Sequence, residues 1–70
     1  MLTNTQRIII KQMADGYTQL EVSDNLKRRG ITPNSVSTIE KEIKKLKKQF
    51  NAKSAVHLFV ILMRQGHLRI

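Results

Sequence analysis

Ser37, Lys41, Lys44, Lys45 and Lys48 recur at steps of three and four through the middle of the chain. On a helix turning roughly 100° per residue, they fall on one side. A lysine ammonium is a point charge with three donors and no acceptor, so such a row can neutralise the phosphates of a nucleic-acid backbone. Ser37 and Thr38 at its start are short enough to let the helix approach base edges, and Lys41 can reach a guanine edge or a phosphate. Val36, Ile39, Ile43, Leu46 and Phe50 form an apolar seam on the opposite side. Glu40 and Glu42 lie on the flanks. Glu40 is placed to pair with Lys44 one turn on, or to accept from a cytosine amine. A helix that is merely solvated usually mixes charge signs on its outer face, and this one segregates them.

The charge of the whole chain agrees. Its formal net charge is +8. Arg7 and Lys11 are outweighed by Asp15, Glu21 and Asp24 up to residue 26. Lys27, Arg28, Arg29, Lys41, Lys44, Lys45, Lys47, Lys48 and Lys53 then face only Glu40 and Glu42. Charge concentrated in this way suits a polyanion-binding surface. Catalysis is not expected. His57 and His67 stand ten apart with no acidic neighbour, there is no cysteine, and no spacing pairs a nucleophile with a base. No catalytic, cofactor or metal residue is assigned. Met1-Leu2-Thr3-Asn4 lacks the basic start of a signal peptide, and the apolar run Val56 to Met63 is too short to span a bilayer. The expected location is cytoplasmic and nucleoid-associated.

Four helices must position these residues, at about 4–14, 18–29, 36–50 and 55–65, within a single all-α domain over 1–70. Thr3 with Gln6 and Thr18 with Glu21 read as capping boxes. Ile9, Ile10, Met13 and Ala14 make the first apolar stripe, and Val22 and Leu26 the second. Gly30 reads as the cap of the second helix, and Ile31 as tucked into the core. Lys27, Arg28 and Arg29 either extend that helix or form a basic loop, where Arg28 and Arg29 could add phosphate contacts. Ser35 is the preferred cap of the third helix, with Ser37 and Glu40 a competing box. Asn51 reads as its stop. The free amides at Thr18 and Gln19 could hold a phosphate at a helix N-terminus.

Taken in order, these pieces resemble the LuxR/GerE-type helix-turn-helix domain of bacterial transcription regulators. Leu2-Thr3, Ile9-Ile10, Met13-Ala14-Asp15-Gly16 and Thr18 are similar to its opening, and Glu21-Val22-Ser23 with Leu26 to its "E-I-A-x-x-L". Ser35, Thr38-Ile39, Leu46, Phe50 to Val56 and the closing Gly66-His67-Leu68 continue the match. The resemblance implies a third helix in the major groove, Thr38 on the DNA backbone, and Glu40 and Lys41 near the base contacts. Three departures stand out. Thr5-Gln6 replaces an Arg-Glu pair, Glu42 stands where histidine is common, and Lys27 to Asn34 enlarges the turn before the third helix.

The last helix is apolar nearly all round. Ala55, Leu58, Phe59 and Leu62 can serve the core, which leaves Val56, Val60 and Met63 as a second stripe that needs a partner. In the resembling family the last helix pairs across a two-fold axis, and a homodimer is expected here. The expected function is sequence-specific duplex binding by a transcription regulator, with no small-molecule ligand. The alternative is a basic protein-interaction module, such as an anti-activator or assembly subunit, that uses the same shape without reading DNA. Only Tyr17, Phe50 and Phe59 are aromatic, and the latter two read as core, so no stacking platform for single strands is expected.

Overall fold

The computed structural model describes residues 2–68, and all regular structure among them is helical. The helices are α1 (Asn4–Ala14), α2 (Gln19–Arg28), α3 (Val36–Gln49) and α4 (Ala55–Arg64). Each starts where a hydroxyl side chain can satisfy an otherwise orphaned amide. Thr3 Oγ1 accepts from the Gln6 N–H at 3.1 Å, while Gln6 Oε1 accepts from the Thr3 N–H at 3.0 Å. Thr18 and Glu21 repeat the reciprocal pair at 3.2 and 3.0 Å. Ser35 caps α3 through the Thr38 N–H at 3.2 Å, so the competing Ser37 box is not used. Ser54 caps α4 through the His57 N–H at 3.0 Å.

α3 packs against all three other helices, and α1 also packs on α2. The seam expected on α3 is real. Ile39, Ile43 and Leu46 are buried, with Phe50 half-buried at the end. Ile9 and Ile10 of α1, Val22 and Leu26 of α2, and Leu58 and Leu62 of α4 close on them. Leu2 and Leu68, just outside the first and last helices, complete the same cluster. Burying a side chain of this size stabilises by about 1.5–3 kcal/mol, which a chain this short needs against its ordering entropy.

The enlarged turn is built, not slack. Arg29 caps α2, and Gly30 follows at φ +68, a conformation that costs glycine little. The Ile31 N–H then donates back to the Leu26 carbonyl at 2.9 Å, folding Ile31 onto the core. Asn34 Nδ2 donates to the Ile31 carbonyl at 3.0 Å, and the buried Ser23 hydroxyl donates to the Asn34 carbonyl. Of the two readings of Lys27 to Arg29, helix extension is correct: Lys27 and Arg28 end α2 and Arg29 caps it. At the other end of α3, Asn51 takes φ 55 and the Ala52 N–H reaches the Lys47 carbonyl at 2.8 Å, so Asn51 is the stop the sequence suggested.

Several expectations need correction. Ala14 and Ala55 are exposed, because the inward sides of α1 and α4 are narrower than their apolar content, while Met13 and Phe59 pack on the core as expected but stay half-buried. Glu40 and Lys44 form no ion pair; the acid that pairs on α3 is Glu42, with Lys45 at 3.1 Å. The physical reason is position. Glu42 is the flank residue that α1 approaches, and an amide from α1 holds its carboxylate in place. No helix among the described residues is long and apolar enough to cross a membrane.

Candidate nucleic-acid interface

The solvent side of α3 follows from its buried side. With Ile39, Ile43 and Leu46 turned inward, Ser37, Lys41, Lys44, Lys45 and Lys48 are all exposed. The two flanks of this face differ. On one, Lys44 and Lys47 share a shallow depression of about 250 Å³ with Glu40, Ile43, Gln19 at the start of α2 and Ala55 at the start of α4. Gln19, expected to offer a free amide to a phosphate, therefore borders two of α3's lysines. Lys47 was not among the expected contacts. Its step of three from Lys44 was the signal, obscured by its nearness to the apolar seam.

On the other flank Lys45 is tied down. Its ammonium pairs with Glu42 Oε2, and Glu42 Oε1 accepts from Gln6 Nε2 of α1 at 3.0 Å. Gln6 is buried and the Glu42 side chain is 18% exposed, against 68% for Lys45. The pair sets a carboxylate beside Lys45's charge on this flank. Lys41, Lys44 and Lys48 form no ion pair among the described residues.

The polar residues at the helix starts already have partners. Thr18 Oγ1 and the Thr18 N–H are engaged in the capping box, so the amides left at that end belong to Gln19 and Leu20. Ser35 Oγ holds the Thr38 N–H and lies 3.0 Å from the Thr38 hydroxyl. Thr38 is half-buried, whereas Ser37 beside it is exposed.

Arg28 and Arg29 border other depressions. Arg28 bonds Asn25 Oδ1 and lines a depression with Asp24 and Lys27, while Arg29 lines another with Arg7 and Lys11. Neither depression includes a residue of α3. The stripe expected to pair with a partner is open to varying degrees: Val56 is 75% exposed, Met63 is exposed and Val60 is half-buried. His57 lies between the core and solvent, with Nδ1 accepting the Lys53 N–H at 3.0 Å, so it helps fix the start of α4. No group of three or more histidine, aspartate or glutamate side chains that could hold a metal ion occurs among the described residues.

No protein-family model, curated protein or solved structure matches this chain.

Proposed function

We propose that this chain is a sequence-specific duplex DNA-binding protein of the helix-turn-helix type, similar to the LuxR/GerE domain, acting in transcription in the cytoplasm. α3 lies in the major groove with Ser37 and Lys41 toward base edges. Lys44, Lys47 and Lys48 neutralise phosphates, and the Gln19 amide end of α2 holds another. The observation that carries this reading is the division of α3: Ile39, Ile43 and Leu46 are buried while Lys41, Lys44 and Lys48 are exposed and unpaired. A duplex presents a dense row of negative charge that matches such a helix face. Two copies joined through Val56, Val60 and Met63 of α4 raise affinity by effective concentration on spaced half-sites.

The deciding experiment is duplex binding across a salt series, with sites selected from a random pool. Log affinity falls against log salt by about 0.9 per phosphate neutralised. The Lys41→Ala, Lys44→Ala double variant loses both affinity and slope. Undiminished binding by that variant removes α3 as the reader. Absence of duplex binding by the parent chain at low salt leaves the protein-interaction reading in its place.

A further inference from the structure

Two surfaces on α1 and α2 have no role in the reading above. The first is a depression of about 280 Å³ between α1 and the end of α2. Exposed Arg7, Lys11 and Arg29 stand around it, with half-buried Ile8 and Gln12 between them. Lys11 pairs with Asp15 at 3.4 Å, but Arg7 and Arg29 enter no ion pair among the described residues. The second is the outer side of α2's first half. Leu20 is 64% exposed there, with exposed Tyr17 just before the helix and exposed Glu21 and Asp24 alongside. One surface is cationic with an apolar base, and the other presents the carboxylates of Glu21 and Asp24 beside a protruding leucine, with Lys27 and Arg28 bordering Asp24 on its far side.

We propose that the two surfaces are the halves of one head-to-tail contact between copies of this chain. Leu20 of one copy seats on Ile8 of the next, and Glu21 and Asp24 meet the guanidinium groups of Arg7 and Arg29. Guanidinium favours carboxylate partners through its planar fork of donors. A nucleic-acid backbone fits this depression less well, since it would satisfy the cations but offer no apolar side chain to Ile8. It would also leave Leu20 in water. The patches are different surfaces of one molecule, so the contact is heterologous, and each added copy exposes a fresh pair of patches. Neither patch contains a residue of α3 or of the Val56, Val60 and Met63 stripe. The contact thus uses side chains outside the α3 lysine row and outside the α4 stripe, and on the Leu20 side it borders the phosphate site proposed at the start of α2.

The test is sedimentation velocity of the full chain at low salt over a concentration series, with parent and variants all carrying Val56→Glu so that pairing through α4 does not contribute. The parent's average mass climbs with concentration, and added salt reverses the climb because the ion pairs are exposed. Leu20→Ser with Asp24→Lys breaks the acidic surface, and Arg7→Glu with Arg29→Glu breaks the basic one; all four positions are exposed, so the fold is spared. Each double variant alone loses the climb. Mixing the two pairs an intact acidic surface with an intact basic one, and the average mass rises about twofold over either alone. The proposal fails if the parent's mass is independent of concentration or if the mixture shows no rise. It also fails if Lys41→Ala with Lys44→Ala halts the climb while Arg7→Glu with Arg29→Glu does not, since the acidic surface then docks on α3. Duplex binding is read separately, so either proposal can fail while the other stands.

Discussion

Gln6 Nε2 donates to Glu42 Oε1 across 3.0 Å, joining the buried start of α1 to the flank of α3. The rest of each side chain is also committed. Gln6 Oε1 accepts the Thr3 N–H, and Glu42 Oε2 accepts from Lys45. Under the proposed LuxR/GerE-like reading, Gln6 and Glu42 sit at two of the three places where the sequence departs from that pattern. One hydrogen bond connects those two departures, so each makes sense of the other. An amide at position 6 can donate to a carboxylate, which a second carboxylate could not do without taking up a proton.

Glu42→Gln tests what that carboxylate does to the lysine row. Lys45 loses its ion pair, and its charge becomes available to a phosphate. Under the proposed function the slope of log affinity against log salt steepens by about 0.9. An unchanged slope places Lys45 away from the duplex.

Gln6→Ala removes half of the α1 capping box and leaves Glu42 without its α1 partner. The expected loss is about 1–2 kcal/mol, read as a lower midpoint in urea with an unchanged m-value. Equal stability of variant and parent would show that water replaces the amide at no cost.

Thr18→Asp separates capping from phosphate binding. Aspartate caps a helix as well as threonine or better, so stability is expected to hold within about 0.5 kcal/mol. A carboxylate at that helix start repels a phosphate, and duplex affinity is expected to fall about tenfold. If thermal unfolding and duplex affinity are both unchanged, the α2 start lies clear of the backbone.

Gly30→Ala meets no atom within 4 Å, so any cost comes from the backbone at φ +68 and not from a clash. About 1 kcal/mol of destabilisation is expected in urea, and less for Gly30→Asn, which tolerates this region better.

Val56→Glu places a charge on the most exposed residue of the α4 stripe without touching the core. A folded chain of monomer mass in sedimentation equilibrium at high salt, set against a dimeric parent, supports pairing through α4. Val60→Glu extends the test to the half-buried centre of the stripe. A parent already monomeric at tens of micromolar removes the α4 dimer.

The helices were legible because the chain marks them twice, by spacing and by caps. Thr3, Thr18, Ser35 and Ser54 each stand one residue before a helix, and Ile39, Ile43 and Leu46 are buried as their steps of four and three require. What was not legible depends on contacts between helices. Glu40 looked like the pairing acid because pattern rules see only neighbours along one helix. Glu42 is chosen instead by Gln6, thirty-six residues away. Nor could the sequence show that Arg28 and Arg29, successive positions near a helix end, point in different directions and line separate depressions. The exposure of Leu20 was hidden for the same reason, since an apolar residue beside Val22 gives no sign of which way it faces.

Under the proposed function, the ties around Gly30 to Asn34 have a consequence for recognition speed and selectivity. With Ile31 on the core and Ser23 holding the Asn34 carbonyl, the link ties α2 and α3 into one jaw. A loose link would have to be ordered whenever the protein seated on a duplex, at about 1–2 kcal/mol per residue. Here that ordering is complete before any ligand arrives. A mismatched site then gains nothing from a jaw that reshapes to suit it, and discrimination falls on how quickly the wrong duplex is released.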